Sequence, residues 1–179
     1  MKKQINEVLN ASPEEILIPH TLAAEVVVML EDRLQDEYTA HYFYRAAHNW
    51  CAEKGYKKAA VFFEAEAATE LTHAEKVQKY LVDWNVLPVI PAIQMQPQFS
   101  HLIDIVNKAY KLEYNLFLQY NSNSASVFPM DIATFDFLQE LRVGQTASVA
   151  EYSDLLAAAQ LVDVSNKLDV LYYEGKYFK

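Results

Sequence analysis

The sequence contains little cysteine, glycine or proline. Its 179 residues include one cysteine, Cys51, together with three glycines and six prolines. A single cysteine excludes an internal disulfide framework and fits a reducing compartment, so we expect a cytoplasmic protein. Long stretches without glycine or proline favour long helices over many short strands.

Long hydrophobic runs and an excess of positive charge are also missing. The most apolar segments, such as AAEVVVML, are too short to span a bilayer, and the first residues, MKKQINEVLNASPEE, contain no apolar run typical of a signal peptide. The formal net charge is −9, so we expect neither nucleic acid nor an anionic membrane as a partner. A hydrophobic content of 52% nevertheless predicts a globular fold.

Glycine and proline divide the chain into helical segments. We expect residues 1–20 to form an N-terminal extension, in which Ser12 and Pro13 mark a helix start, and residues 21–179 to form one domain. The predicted helices span residues 21–53, residues 57–84, about 25 residues after Ser100, residues 131–162, and a short segment between Ser165 and Gly175. The sequence therefore predicts an all-α fold, with four long helices packed as a bundle and a short fifth helix.

Each long helix carries an apolar stripe that a polar or ionisable residue interrupts near its middle. The interruptions fall on the 3.6-residue period of the stripes, so we expect them to face the bundle core. Four helices packed side by side would bring them to about the same level. In chain order, these residues are Glu37, His41, His48, Glu66, Glu70, His73, Glu113, Gln145 and Ser148.

Buried acids at one level predict a metal site. Glu37, Glu70 and Glu113 would repel one another there, and no lysine or arginine lies on the stripes near that level. A divalent or trivalent cation would neutralise them, and a set of carboxylates with imidazole suits iron, manganese or zinc. The spacing E-x-x-H places Glu70 and His73 on one helix face, where both can hold one metal and Glu70 can bridge to a second.

Four segments of the chain resemble those of ferritins: DEYTAHYFY, ATELTHAEK, YKLEYN and VGQTAS. The resemblance implies an antiparallel four-helix bundle with a long crossover between the second and third helices, assembled into a homo-oligomeric shell of 24 subunits. It also implies two iron ions per subunit and oxidation of Fe(II) by dioxygen or hydrogen peroxide. The site residues implied are Glu37, Glu70 and His73 for the first iron, Glu70 and Glu113 for the second, Gln145 beside the second through water, and Tyr44 next to the centre.

The sequence also departs from the ferritin pattern. Thr69, Gly144 and Ser148 stand where many bacterial ferritins have glutamates, so we expect no third, accessory iron site. Thr69 and Thr72 leave the efficiency of mineralisation open. The sequence does not decide whether His41 is an extra ligand or a neighbour of the ligands, and it favours Glu66 as an acid at the rim of the site.

Three alternative functions remain open at this point. A di-iron oxidase or peroxidase of the rubrerythrin or bacterioferritin type would carry E-x-x-H on two helices, whereas the fourth helix here has Gln145 and Ser148. A DNA-protecting mini-ferritin would hold iron between subunits and generally lacks the fifth helix. A non-catalytic shell protein with the ferritin fold would bind no iron.

Overall fold

All of the regular secondary structure in the described part of the chain is α-helical. The computed structural model describes residues 19–94 and 97–179, so the helix start predicted at Ser12 and Pro13 lies outside it. Its helices, in chain order, are α1 (Ala24–Lys54), α2 (Lys57–Asp83), α3 (Leu102–Val127), α4 (Ile132–Ala159) and α5 (Lys167–Tyr177). None of these helices combines the length and the apolar content that a bilayer crossing needs.

The ends of the long helices lie close to the predicted positions. Helix α1 ends at Gly55, whose φ of 85° is a left-handed conformation that glycine adopts without strain. The side chain of Asp131 caps α4 by accepting a hydrogen bond from the backbone N–H of Thr134. Helix α3 is capped by His101 rather than by Ser100, because the imidazole accepts the N–H of Asp104.

The predicted ends of the fifth helix were wrong. The Ser165 hydroxyl donates to Asp163 instead of capping the helix, and Asn166 caps it by accepting the N–H of Leu168. Helix α5 also continues through Gly175 to Tyr177. The physical reason is Phe178, which follows the helix and is fully buried, so that packing holds the last turn in place.

Side-chain contacts between the helices establish the antiparallel bundle. His41 and His48 of α1 contact the carbonyl oxygens of Ala67 and Ala60 of α2, so positions rise along one helix as they fall along the other. The same opposite order relates the other neighbouring pairs, through the contacts Glu37–Tyr120, Tyr44–Glu113, Asn121–Arg142, Glu113–Gln145, Glu66–Tyr152 and Tyr80–Thr134.

The crossover follows from these directions. Both α2 and α3 run opposite to α1, so they run parallel to each other. The connection between them must therefore return along the whole length of the bundle, which is about 40 Å for a helix as long as α2. This arrangement confirms the predicted long crossover between the second and third helices.

The apolar core consists of two clusters, one towards each end of the bundle. One cluster contains Phe63, Tyr44 and Tyr152, and the other contains Leu34 and Leu138. Each long helix places one buried polar side chain between these clusters or at their boundary. These four residues are Glu37, Glu70, Glu113 and Gln145. The polar side chains therefore share one level near the middle of the bundle, as their spacing predicts.

Helix α5 docks on the bundle through a buried acid. The Glu174 carboxylate accepts the backbone N–H groups of Lys58 at 2.6 Å and Ala59 at 3.1 Å, in the first turn of α2. Helix α2 has no side-chain cap of its own and no acid in its first turn. Glu174 therefore satisfies donors that the α2 sequence leaves unpaired and complements the positive end of the helix dipole.

Replacement of Glu174 by alanine is expected to lower the free energy of unfolding by about 2 kcal/mol. The variant loses the acceptor of the buried Ala59 N–H and the half-buried Lys58 N–H, whereas Glu53→Ala removes an exposed acid and should change stability little. Urea unfolding of both variants checks this. Equal stability of the two variants would contradict the capping role of Glu174.

Candidate metal centre

Glu37, Glu70 and His73 converge in the middle of the bundle. Each offers one ligand atom, and these three atoms lie within 4.8 Å of one another. His73 Nδ1 lies 3.0 Å from Glu70 Oε2 and 3.5 Å from Glu37 Oε2. Helix α1 supplies Glu37, and the E-x-x-H spacing on α2 supplies the other two. The two carboxylates are almost fully buried, at 1% and 2% exposure, and the imidazole is half-buried.

Burial and mutual contact shift the pKa values of these three groups. Burial raises the pKa of Glu70 well above its usual range. The negative charges of Glu37 and Glu113 raise it further, whereas the hydrogen bond to His73 lowers it. Burial also raises the pKa of Glu37, but His73, Glu70 and Tyr120 lower it more, so the pKa lies below its ordinary value. Burial alone lowers the pKa of His73, whereas contact with Glu37 and Glu70 raises it to about 10. Without metal at neutral pH, Glu37 is therefore ionised and His73 carries a proton, whereas burial favours the protonated form of Glu70.

A second group of side chains surrounds Glu113 of α3. The Tyr44 hydroxyl donates to one carboxylate oxygen and the Gln145 amide donates to the other. The same amide also donates to the Glu113 carbonyl oxygen at 3.0 Å. Glu113 lies outside the compact trio but close enough to Glu70 to raise the pKa of that residue. The two groups therefore form adjacent halves of one polar region.

Glu66 extends this region towards the rim of the bundle. It is half-buried and accepts a hydrogen bond from the Tyr152 hydroxyl at 3.0 Å. The pKa of Glu113 is raised to about 7, chiefly by burial and further by the negative charge of Glu66. The hydrogen bonds from Tyr44 and Gln145 lower it, but by less. A half-buried position agrees with the expectation that Glu66 lies at the rim.

The histidines of α1 and the residues that depart from the ferritin pattern lie apart from the trio. His41 Nδ1 contacts the Ala67 carbonyl at 2.6 Å and His48 Nδ1 contacts the Ala60 carbonyl at 2.8 Å. Both imidazoles are therefore hydrogen-bonded to the backbone of α2. Thr69 and Thr72 are exposed, and their hydroxyls donate back to carbonyls one turn earlier. Gly144 is exposed and Ser148 is half-buried.

The structure adds two side chains that the stripes do not predict to lie beside the site. Tyr120 of α3 is buried, and its hydroxyl donates to Glu37 Oε1. Arg33 of α1 is buried one turn before Glu37, although the stripes predict no basic residue near this level. Its guanidinium forms an ion pair with Asp36 at 2.7 Å, so Asp36 neutralises its charge. Arg33 therefore does not neutralise Glu37 and Glu70, which still require a cation. The position of Arg33, four residues before Glu37, is the feature of the sequence that could have indicated it.

The donor set fits a divalent or trivalent metal of intermediate softness. Glu37 Oε2 is buried and faces His73, and it has no hydrogen-bond partner in the part of the chain that the structure describes. A cation between Glu37, Glu70 and His73 would satisfy this oxygen and displace the proton that His73 carries. Carboxylate and imidazole ligands suit iron, manganese or zinc. Among the described residues, this is the cluster of acids and histidines compact enough to hold a metal.

Comparisons with known proteins agree with this architecture. The bacterial non-heme ferritin of Campylobacter jejuni is 30% identical over 122 residues, which cover 66% of this chain and 72% of that protein. A probable bacterial non-heme ferritin-like protein of Haemophilus influenzae is 28% identical over 120 residues, covering 66% and 73%. The open pore ferritin of the archaeon Archaeoglobus fulgidus has the same fold, with a TM-score of 0.81, 18% identity, and coverage of 88% of this chain and 97% of that one. The family model described as "Ferritin-like domain" matches residues 28–162, and the chain therefore belongs to the ferritin-like family.

Proposed function

We propose that the chain binds two iron ions per subunit, oxidises Fe(II) to Fe(III) with dioxygen or hydrogen peroxide, and stores or detoxifies the iron. The observation that supports this most is the burial of three carboxylates and one imidazole at one level, with the ligand atoms of Glu37, Glu70 and His73 within 4.8 Å of one another. The non-heme ferritins among the relatives support iron as the metal.

Each iron has its own set of side chains in this proposal. Glu37 and His73 hold the first iron, Glu113 holds the second, and Glu70 lies between them as the shared ligand. Gln145 binds the second iron through water, and its amide keeps Glu113 in place. Because these residues come from all four long helices, the packing of the bundle fixes their relative positions.

The remaining contacts prepare these ligands for the metal. The Tyr44 hydroxyl holds one oxygen of Glu113, which limits rotation of that carboxylate. His73 and Glu70 share a hydrogen bond at 3.0 Å before the metal binds, so both are already turned towards the same point. Iron binding then displaces the proton that His73 carries.

Exposed aliphatic side chains support a homo-oligomer. Val61 and Val82 on α2 are more than half exposed, and so are Leu87, Val89 and Ile90 in the crossover. Such a concentration of aliphatic surface is typical of subunit interfaces. A shell of 24 subunits is the assembly that the ferritin resemblance implies.

Anaerobic loading with two Fe(II) per subunit, followed by admission of air, tests the proposed function. We expect ferric absorbance to develop much faster than in buffer, because the protein holds both reductants at one place. Thr72→Ala serves as the control variant, because this exposed hydroxyl bonds only to its own helix in the structure and should leave the rate unchanged. A wild-type rate equal to that in buffer would contradict the proposal.

A further inference from the structure

One oxygen of Glu37 accepts a hydrogen bond from Tyr120, a residue that is not itself a proposed metal ligand. Tyr120 lies two turns after Glu113 on α3 and is 1% exposed. Its hydroxyl donates to Glu37 Oε1, while Glu37 Oε2 faces His73 at 3.5 Å and has no hydrogen-bond partner within residues 19–94 and 97–179. The tyrosine therefore selects which carboxylate oxygen is left for a metal.

The ring of Tyr120 is itself supported by a buried cation. The guanidinium carbon of Arg33 lies 5.9 Å from the centre of the Tyr120 ring. Asp36 holds Arg33 Nη2 at 2.7 Å, while Nε and Nη1 of the guanidinium have no hydrogen-bond partner among the described residues. With one ion pair and no other hydrogen bond, the guanidinium has the aromatic face as its second favourable contact.

Glu37 and Glu113 differ in how many donors hold them. Both oxygens of Glu113 accept hydrogen bonds, one from Tyr44 and one from Gln145. Glu37 accepts a hydrogen bond from Tyr120 at one oxygen, whereas its other oxygen lies 3.5 Å from His73 Nδ1 and accepts no hydrogen bond from the described residues. Without the Tyr120 hydroxyl, the bound metal would be the main interaction that orients the Glu37 carboxylate.

We propose that Tyr120 is a positioning residue for the first metal, and that Arg33 fixes its ring so that Glu37 Oε2 points at His73. This inference rests on the proposed function, because it concerns the ligands of the first iron. It assigns to Tyr120 a role in metal affinity beyond its packing in the core. Side chains that orient metal ligands typically change affinity or activity by about ten- to a hundred-fold when they are replaced.

Anaerobic titration of the full chain with Co(II) tests this assignment through calorimetry and the visible absorption of bound Co(II). In Tyr120→Phe, we expect the dissociation constant of the first equivalent to rise by about ten- to a hundred-fold, with a smaller change for the second equivalent and an altered Co(II) spectrum. Tyr80→Phe is the matched control, because it also removes one hydroxyl, here bonded to Thr134 away from the ligands. The control should bind both equivalents as the wild type does.

Arg33→Lys provides a second variant that keeps the charge facing Asp36 but removes the planar group beside the ring. We expect this variant to raise the dissociation constant of the first Co(II) equivalent too, but by less than Tyr120→Phe does. Two results would overturn the positioning role. One is a Tyr120→Phe variant whose dissociation constant for the first Co(II) equivalent is unchanged. The other is equally weakened binding of both equivalents together with a lower melting temperature. Wild-type protein that binds no Co(II) would overturn the proposed function together with this inference, whereas wild-type binding of two equivalents isolates the outcome for Tyr120.

Discussion

Replacement of Glu70 by glutamine is expected to reduce the rate of Fe(II) oxidation by more than about 100-fold, to the rate in buffer. Glu70 lies close enough to Glu37 and Glu113 for both to raise its pKa, and it contacts His73 at 3.0 Å, so its loss removes the ligand that both proposed irons share. The amide has nearly the same shape, which leaves the packing of α2 unchanged. The measurement is the ferric absorbance after admission of air to protein loaded with two Fe(II) per subunit.

The same substitution is expected to make the metal-free protein more stable at alkaline pH. Because the pKa of Glu70 is raised well above its usual range, the stability that its protonated form contributes is lost as the pH rises through that value. Glutamine cannot ionise and so avoids this loss. Glu64→Gln is the control, since Glu64 is an exposed acid of the same helix. A Glu70→Gln variant that oxidises iron at the wild-type rate would contradict the role of Glu70 as a ligand.

The metal-free wild-type protein is expected to lose stability as the pH rises from 6.5 to 9. The pKa of His73 is raised from 6.5 to about 10 by Glu37 and Glu70 against the effect of burial. The folded form therefore keeps a proton that the unfolded form has lost, and the stability contributed below pH 6.5 declines towards pH 10. For this residue alone, the loss by pH 9 is at most about 3 kcal/mol.

Other groups in the centre do not reverse this trend. The pKa of Glu113 is raised to about 7 by burial, so its contribution is lost in the same direction between pH 4.5 and 7. The lowered pKa of Glu37 acts in the opposite direction, but only below pH 4.5. Thermal melting of metal-free protein between pH 6.5 and 9 checks this, with His73→Ala as the variant that should flatten the curve. A wild-type melting temperature that rises over this range would contradict the protonated state of His73.

The long helices and most of the candidate ligands could be predicted because both follow from local rules. Scarcity of glycine and proline leaves few possible helix ends, and Gly55 and Asp131 fall at two of them. Glu37, Glu70 and Glu113 interrupt apolar stripes, and a 3.6-residue period is enough to place them inside the bundle. The directions of the helices and the long crossover were predicted from the ferritin resemblance rather than from the apolar stripes.

The supporting residues could not be predicted because they depend on contacts between distant segments. Tyr120 belongs to an apolar stripe and is indistinguishable there from a packing residue, until the fold brings its hydroxyl to Glu37, 83 positions earlier in the chain. Glu174 contacts the first turn of α2 across more than 110 residues. Arg33 is the exception, because its ion pair with Asp36 is local and its position four residues before Glu37 could have indicated it. Periodicity indicates which face of a helix is buried, but not which side chain a polar group will meet.

The position of iron in the bundle is the measurement that tests the central claim most directly. Crystals loaded with Fe(II) under anaerobic conditions would be examined by anomalous diffraction at the iron absorption edge. We predict two peaks per subunit, one between Glu37, Glu70 and His73 and the other between Glu70 and Glu113. Iron bound only at the surface, or no iron peak among these side chains, would contradict the assignment of this site as an iron-oxidising centre.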